Sequence, residues 1–129
     1  EIAKKILARA KDFGIDKKDI IFDTLAMTVS ADPTSAIETL KALKAIKNQL
    51  GCHTSLGVSN VSFGLPNRDA LNSTFFALAL ENGLSAAIMN PYSADMMKTY
   101  YSYNAHKRWA YAFTLLTHLS PLHSLQQKR

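Results

Sequence analysis

A single cysteine, Cys52, is all the thiol chemistry in this sequence. It excludes an intramolecular disulfide and suits a reducing compartment, so a cytoplasmic location is expected. No apolar run reaches the roughly 18 residues needed to cross a bilayer, and no membrane is expected as a partner. The N-terminus lacks the basic-then-apolar layout of a secretory signal. A glycine-rich phosphate loop is missing, and no glycosidase-type carboxylate pair can be argued. Cys52-His53 has no further ligands at zinc spacing, so no metal site is expected. His118 and His123 have no acid or nucleophile near them in sequence.

Clustered positive charge is lacking as well, although the net charge is +5. Residues 1–18 carry a net +3, residues 106–129 a net +4, and the stretch between them −2. A phosphate-binding face gathers its charge on one element with interleaved aromatics. Here the excess sits at the two ends, which reads as a solvated face plus a tail. No nucleic-acid partner is expected.

What is present is apolar material, 47% of 129 residues, enough for a buried core in one domain or part of one. The chain starts at Glu1 rather than Met, which suggests a fragment or a processed piece. Ile2, Ile6, Leu7, Ala10 and Phe13 fall at helical spacing, and Gly14 stops that helix. Asp19-Ile20-Ile21-Phe22-Asp23 reads as a strand ending on an acid. Asp32-Pro33 opens a helix on which Ile37, Leu40, Leu43, Ile46 and Leu50 line one face, up to Gly51. His53 to Val58 reads as the next strand, and Asn67 caps a helix running to about Asn82, with Gly83 as its stop. Leu84 to Met89 is a third strand, broken by Asn90-Pro91. Ser93 and Asp95 open a last helix, in which tyrosines 92, 100, 101 and 103 pack around Met96 and Met97.

Apolar strands alternating with amphipathic helices indicate a parallel sheet covered by helices. Such a sheet is either an open doubly wound one or an arc of an eight-stranded barrel. Three strands do not close a barrel and leave two raw edges, so further strands are expected to be missing. Asp23, Ser59-Asn60 and Asn90 each sit at or just after the carboxyl end of a strand. In a parallel sheet all three ends face one rim, which is where folds of this class keep their chemistry. Gly57 and Gly64 flank the bend and let backbone approach a flat ligand.

The segment Gly57-Val58-Ser59-Asn60-Val61-Ser62-Phe63-Gly64-Leu65-Pro66-Asn67-Arg68 resembles the signature of pterin-binding methyltransferases. These are the methyltetrahydrofolate-binding domain of cobalamin-dependent methionine synthase and its corrinoid methyltransferase relatives. Leu71-Asn72-Ser73-Thr74-Phe75, Asn82-Gly83-Leu84-Ser85-Ala86-Ala87-Ile88, Asn90-Pro91 and the strand ending at Asp23 extend the resemblance over about residues 15–105. It implies the C-terminal part of a (β/α)8 TIM barrel, about three parallel strands with alternating helices. Residues 1–105 then form a partial pterin-binding barrel domain and residues 106–129 a divergent tail. The N-terminal barrel strands, the corrinoid-binding domain and the zinc-bearing homocysteine domain lie elsewhere.

The activity so implied moves a methyl group from N5 of methyltetrahydrofolate to the cobalt of a corrinoid (cobalamin) on a partner domain or protein, as in methionine synthesis. Asn60 is the implied catalytic residue, because the N5 amine leaves only if it gains a proton or a strong hydrogen bond. The competing reading of Asn60 is a turn-forming asparagine. Asp23 would meet the pyrimidine edge of the pterin with two acceptors, or else cap the next loop. Gly57 and Ser59 would shape the floor. Ile88 would pack on the ring, unless it is an ordinary core residue. Asn90 reads as a strand terminator rather than a ligand contact. Phe63 stands where some relatives carry a glutamine near the pterin, so one hydrogen bond of that subgroup is expected to be lacking.

Two other readings stay open. One is a dihydropteroate-synthase-like pterin enzyme, disfavoured because the bend offers Ser and Asn rather than the Lys and Arg that pyrophosphate needs. The other is an inactive barrel remnant or interaction module.

Overall fold

In the computed structural model, which describes residues 1–107, three short strands form one parallel sheet in the order β1-β2-β3. The elements are α1 (Ile2–Asp12), β1 (Ile21–Asp23), α2 (Ser35–Ala45), β2 (His53–Gly57), α3 (Arg68–Glu81), β3 (Ala86–Ile88) and α4 (Ala94–Lys107). A 3-10 turn, Val58–Ser62, follows β2 directly. The boundary between barrel and tail expected near residue 105 falls within α4, and residues 108–129 lie outside the described residues.

Register and burial together decide between the two sheet types. Phe22, Thr54 and Leu56 are buried, while Ile21, Asp23, His53, Ala86 and Ile88 on the opposite face are exposed. Leu43 of α2, Phe75, Phe76 and Ala79 of α3 and Met96 of α4 join Leu56 in one core cluster. These helices therefore cover the same face of the sheet. A doubly wound sheet puts helices on both faces and reverses its strand order at a switch point; a barrel does neither. Consecutive strand order with one face left open is a barrel arc.

Several elements differ from the expectation in instructive ways. The strands are shorter than expected: β1 starts two residues later, β2 ends one residue sooner and β3 is trimmed at both ends, because only three residues of β1 and of β3 find ladder partners. The buried face of α2 is Ser35, Thr39 and Leu43, and Ile37 is exposed. Thr39 Oγ donates to the carbonyls of Leu25 and Ser35, and Ser35 Oγ donates to the carbonyl of Met27. Hydroxyls thus share with Leu43 a buried face that apolar spacing placed on other residues, because they fasten the loop that leaves β1. Buried hydroxyls are tolerated where each finds a carbonyl. Asp32 caps its own turn, accepting from the backbone N–H and the hydroxyl of Thr34, and α2 begins two residues after Pro33. Those bonds hold the Asp32 carboxyl below its usual pKa.

Asn67 stands at the start of α3 but in the left-handed region, φ 52°, with no capping bond from its side chain. Its carbonyl, rather than its amide group, receives the first helical N–H groups. Gly83 ends α3 with φ +99°, and a Cβ there would come 2.7 Å from Cβ and Cγ of Lys47. Met96 is buried as expected, whereas Tyr92 is 93% exposed. Tyr103 instead donates to Glu81 Oε2 at 3.2 Å, and Lys107 Nζ meets the same oxygen at 2.8 Å. This clip joins the carboxyl ends of α3 and α4. No helix among the described residues is long and apolar enough to cross a membrane.

Candidate functional site

The sheet's open face carries the expected residues in register. Asp23 pairs with Ser55, and Gly57 pairs with Ile88. Side chains two apart on a strand share a face, so Asp23, Ser55, Gly57 and Ile88 look out from the same surface. Ile88 is 69% exposed on the open side of the arc, the side that the other strands of a barrel would enclose. An isoleucine presented in this way offers a flat apolar contact at the mouth of the sheet.

Asp23 does two things with its two oxygens. Oδ1 accepts the N–H of Leu25 at 2.8 Å, which steadies a residue with φ +57°. The loop-capping reading is therefore correct for that oxygen, and among the described residues Oδ2 takes part in no hydrogen bond. One carboxylate both shapes its loop and presents an acceptor.

Gly57 ends β2, and the 3-10 turn then carries Ser59 and Asn60 out over the sheet's carboxyl end. A Cβ on Gly57 would stand 3.1 Å from Asn60 Nδ2 and 3.7 Å from its Cγ. The glycine is thus the space in which the Asn60 amide lies. Asn60 is exposed, and its side chain makes no hydrogen bond among the described residues. Its backbone carbonyl accepts the N–H of Phe63. The turn-forming role belongs to the main chain, and the amide remains unspent.

The turn is anchored from two sides. From the loop after β1, Val29 N–H donates to the Val61 carbonyl at 3.0 Å. Thr28 Oγ and Ser30 Oγ donate to the Phe63 carbonyl at 2.8 and 3.1 Å. From α3, Arg68 donates through Nε to Ser62 Oγ and through Nη2 to the Ser59 carbonyl, each at 3.0 Å. Phe63 is 68% exposed with its ring 5.9 Å from the Arg68 guanidinium carbon. Phe63 contributes a face and a backbone acceptor, with no side-chain donor.

Ser59 departs from the sheet's face and lines an open polar cleft of about 720 Å³ between the N-terminal ends of α3 and α4. Arg68, Asp69, Asn72, Asn90 and Asp95 share that lining. Asn90 terminates its strand as expected, with Oδ1 accepting the Tyr92 N–H at 3.0 Å. Asn72 is 5% exposed, and among the described residues its Oδ1 has no hydrogen-bond partner. The structure therefore sets Asp23, Gly57, Asn60 and Ile88 at the sheet's mouth, with Ser59 at the threshold of a cleft beside it. Cys52 is buried, and His53 starts β2 at the rim opposite Asn60. Among the described residues no three His, Cys, Asp or Glu side chains gather into a metal-binding group.

Sequence reasoning misses Arg68, Thr28 and Ser30 as functional residues. Arg68 lies inside the Gly57–Arg68 signature, but nothing in its spacing says that its guanidinium turns back onto the 3-10 turn. Thr28 and Ser30 are over thirty residues from the carbonyl they hold, and only the parallel pairing of β1 with β2 brings them there.

Comparison with known proteins places the chain in a family. The family of pterin-binding enzymes matches residues 1–90. A methylcorrinoid:tetrahydrofolate methyltransferase of Eubacterium limosum is 30% identical over 106 residues, covering 81% of this chain and 39% of that protein. The methionine synthase of Mycobacterium tuberculosis is 35% identical over 98 residues, 70% of this chain and 8% of that protein. The methionine synthase of Mycobacterium leprae matches to the same extent. The chain spans well under half the length of these relatives.

Proposed function

The chain belongs to the pterin-binding enzymes, and on that footing we propose that it forms one side of a methyltetrahydrofolate site in a corrinoid-dependent methyltransferase. Its three strands are an arc of that family's (β/α)8 barrel, and its relatives are methyltransferases. The observation that carries the proposal is the unspent Asn60 amide, lodged over Gly57 at the carboxyl end of β2.

In this reading the flat pterin lies on the sheet's mouth. Asp23 Oδ2 accepts from the amino and ring N–H groups of the pyrimidine edge, while Oδ1 keeps the loop in place. A charged acceptor facing N–H donors makes hydrogen bonds roughly twice as strong as neutral ones. Gly57 and Ser59 form the floor, and Ile88 covers one ring face. The rest of the folate runs outward along the cleft that Ser59 and Asn90 line.

Asn60 then faces N5. Loss of the methyl group leaves the N5 electron pair on nitrogen, and a donor there stabilises the departing amine more than the starting compound. Only such differential stabilisation speeds the chemical step. The corrinoid, carried by a separate domain or protein, supplies the nucleophilic cobalt that accepts the methyl group. Further barrel strands complete the pocket, and zinc belongs to a separate homocysteine domain where the final acceptor is homocysteine. Cytoplasmic work fits the lone buried cysteine.

The test is Asn60→Ala in the full-length parent polypeptide. Single-turnover methyl transfer should fall about a hundredfold, with pterin affinity changed less than about threefold. Equal losses in rate and affinity would reduce Asn60 to a binding contact. A dihydropteroate-synthase-like activity would show itself instead as turnover of a pterin pyrophosphate without any corrinoid.

A further inference from the structure

Asn60 sits on a turn of five residues with no regular helix of its own to stiffen it. A short 3-10 turn has poor hydrogen-bond geometry and holds its shape only with outside help. The help on the α3 side comes from one side chain. Arg68 Nε reaches Ser62 Oγ and Nη2 reaches the Ser59 carbonyl, both at 3.0 Å. Ser62 Oγ also lies 3.4 Å from that same carbonyl. Ser62 is fully buried, so its hydroxyl is a fixed post, not a mobile surface group. The residues gripped, 59 and 62, bracket Asn60.

We propose that Arg68 is a positioning residue that holds the Asn60 turn against the amino end of α3, so that the Asn60 amide meets the reacting nitrogen without prior rearrangement. The proposal deepens the methyltransferase reading and rests on it for its functional half. Its physical basis is the planar guanidinium fork. Two donors at fixed angles take up two acceptors at once, whereas an ammonium is a single point charge on a flexible stem. Lysine keeps the charge and loses the bracket. A displacement of about 1 Å at a reacting group can cost on the order of a hundredfold in rate, so a loosened bracket acts on rate rather than on affinity.

The experiment uses the full-length parent polypeptide and its Arg68→Lys, Ser62→Ala and Asn60→Ala variants. Hydrogen exchange of the ligand-free protein reports on the turn independently of any chemistry. Arg68→Lys should speed exchange across residues 58–64 while the helices keep their protection. Single-turnover methyl transfer should fall about tenfold in Arg68→Lys and less in Ser62→Ala, with pterin affinity nearly kept. In the Asn60→Ala background the same Arg68→Lys change should cost less than about twofold, because the group it positions is gone.

Unchanged exchange in Arg68→Lys would overturn the proposal, and so would an undiminished loss in the Asn60→Ala background. A matching loss of affinity, with Ser62→Ala inert, would make Arg68 a substrate contact instead. A wild-type rate in Asn60→Ala would sink the methyltransferase role of Asn60, and hydrogen exchange alone would then decide whether Arg68 braces the turn. Should Arg68→Lys melt early, Ser62→Ala carries the test, since it removes one of the two acceptors without touching charge.

Discussion

Asn60 Nδ2 lies 3.1 Å from where a Cβ on Gly57 would stand. That separation is tighter than ordinary van der Waals contact, and the atom concerned is the far end of a flexible side chain. Gly57 itself has φ −77° and ψ 86°, a conformation open to other residues. Its glycine identity is therefore a matter of room for Asn60, not of backbone freedom. A residue whose added methyl would press first on the Asn60 amide is a sensitive place to cut.

Gly57→Ala should fold normally and lose activity. The Asn60 amide must swing off the added methyl, while the strand gains a little from reduced freedom in the unfolded chain. The expected outcome is an unchanged melting temperature and a methyl-transfer rate about tenfold lower. Combining it with Asn60→Ala should add little, because both changes spend the same group. Full additivity in that double variant would show that Gly57 acts elsewhere.

Asp23→Asn separates the two oxygens of that side chain. The amide oxygen can still accept the Leu25 N–H, so the loop is kept. The other oxygen becomes an NH2, which opposes the donors of the pterin edge. Pterin affinity should drop about ten- to a hundredfold in calorimetry, the range for losing a charge-assisted hydrogen bond. Affinity left at the wild-type value would remove Asp23 from the site.

Gly83→Ala should destabilise the fold without touching the site. The position has φ +99°, and the new Cβ would press within 2.7 Å of the Lys47 side chain near its root, where it cannot swing away. Backbone strain and the clash together should cost about 1–3 kcal/mol. Urea unfolding of the parent polypeptide would read this as a lower midpoint at constant slope. An unchanged midpoint would mean that the helical turn Ile46–Leu50, which carries Lys47, yields more easily than its packing suggests.

The clip of Glu81, Tyr103 and Lys107 predicts a pH dependence. The hydrogen bond from Lys107, then that from Tyr103, holds the Glu81 carboxyl below its ordinary pKa. A carboxyl depressed in the folded state stabilises above its unfolded pKa, and that contribution is lost as pH falls through the folded value. The same pairing raises the Lys107 pKa, so at the alkaline end the contribution fades as pH climbs through that raised value. Glu81→Gln should therefore lower thermal stability slightly at neutral pH and not at all once the wild-type carboxyl is protonated. All three groups are at the surface, and added salt should shrink the difference. An equal deficit at every pH would assign the loss to packing.

Part of the fold is legible in the residues alone, and the reason is local. The glycines at 14, 51 and 83 all adopt positive φ where the sequence marks helix stops, because only glycine takes that conformation cheaply. Alternation of apolar strands with amphipathic helices foretells a parallel sheet, since parallel strands need a crossover between them. The polar residues at strand ends foretell the rim. Asp23, Gly57, Ser59, Asn60 and Ile88 come from the family resemblance, and the structure sets four of them at the mouth and Ser59 beside it.

What the sequence hides, it hides for want of long-range contacts. The buried face of α2 escapes apolar periodicity, which cannot foresee that Ser35 and Thr39 will each find a carbonyl on the loop after β1. The face that Ile88 takes is set only by the pairing of β3 with β2, which turns it toward the open side of the arc. Arg68 reads as one more letter of a signature, and becomes a bracket only when its fork meets Ser59 and Ser62. The amino-acid order by itself determined the succession of elements and the glycine stops at 14, 51 and 83, because those depend on a few neighbouring dihedrals. Only the tertiary structure decided which face is covered, which oxygen of Asp23 is spent and what holds Asn60, because those depend on groups brought together from distant positions by strand pairing.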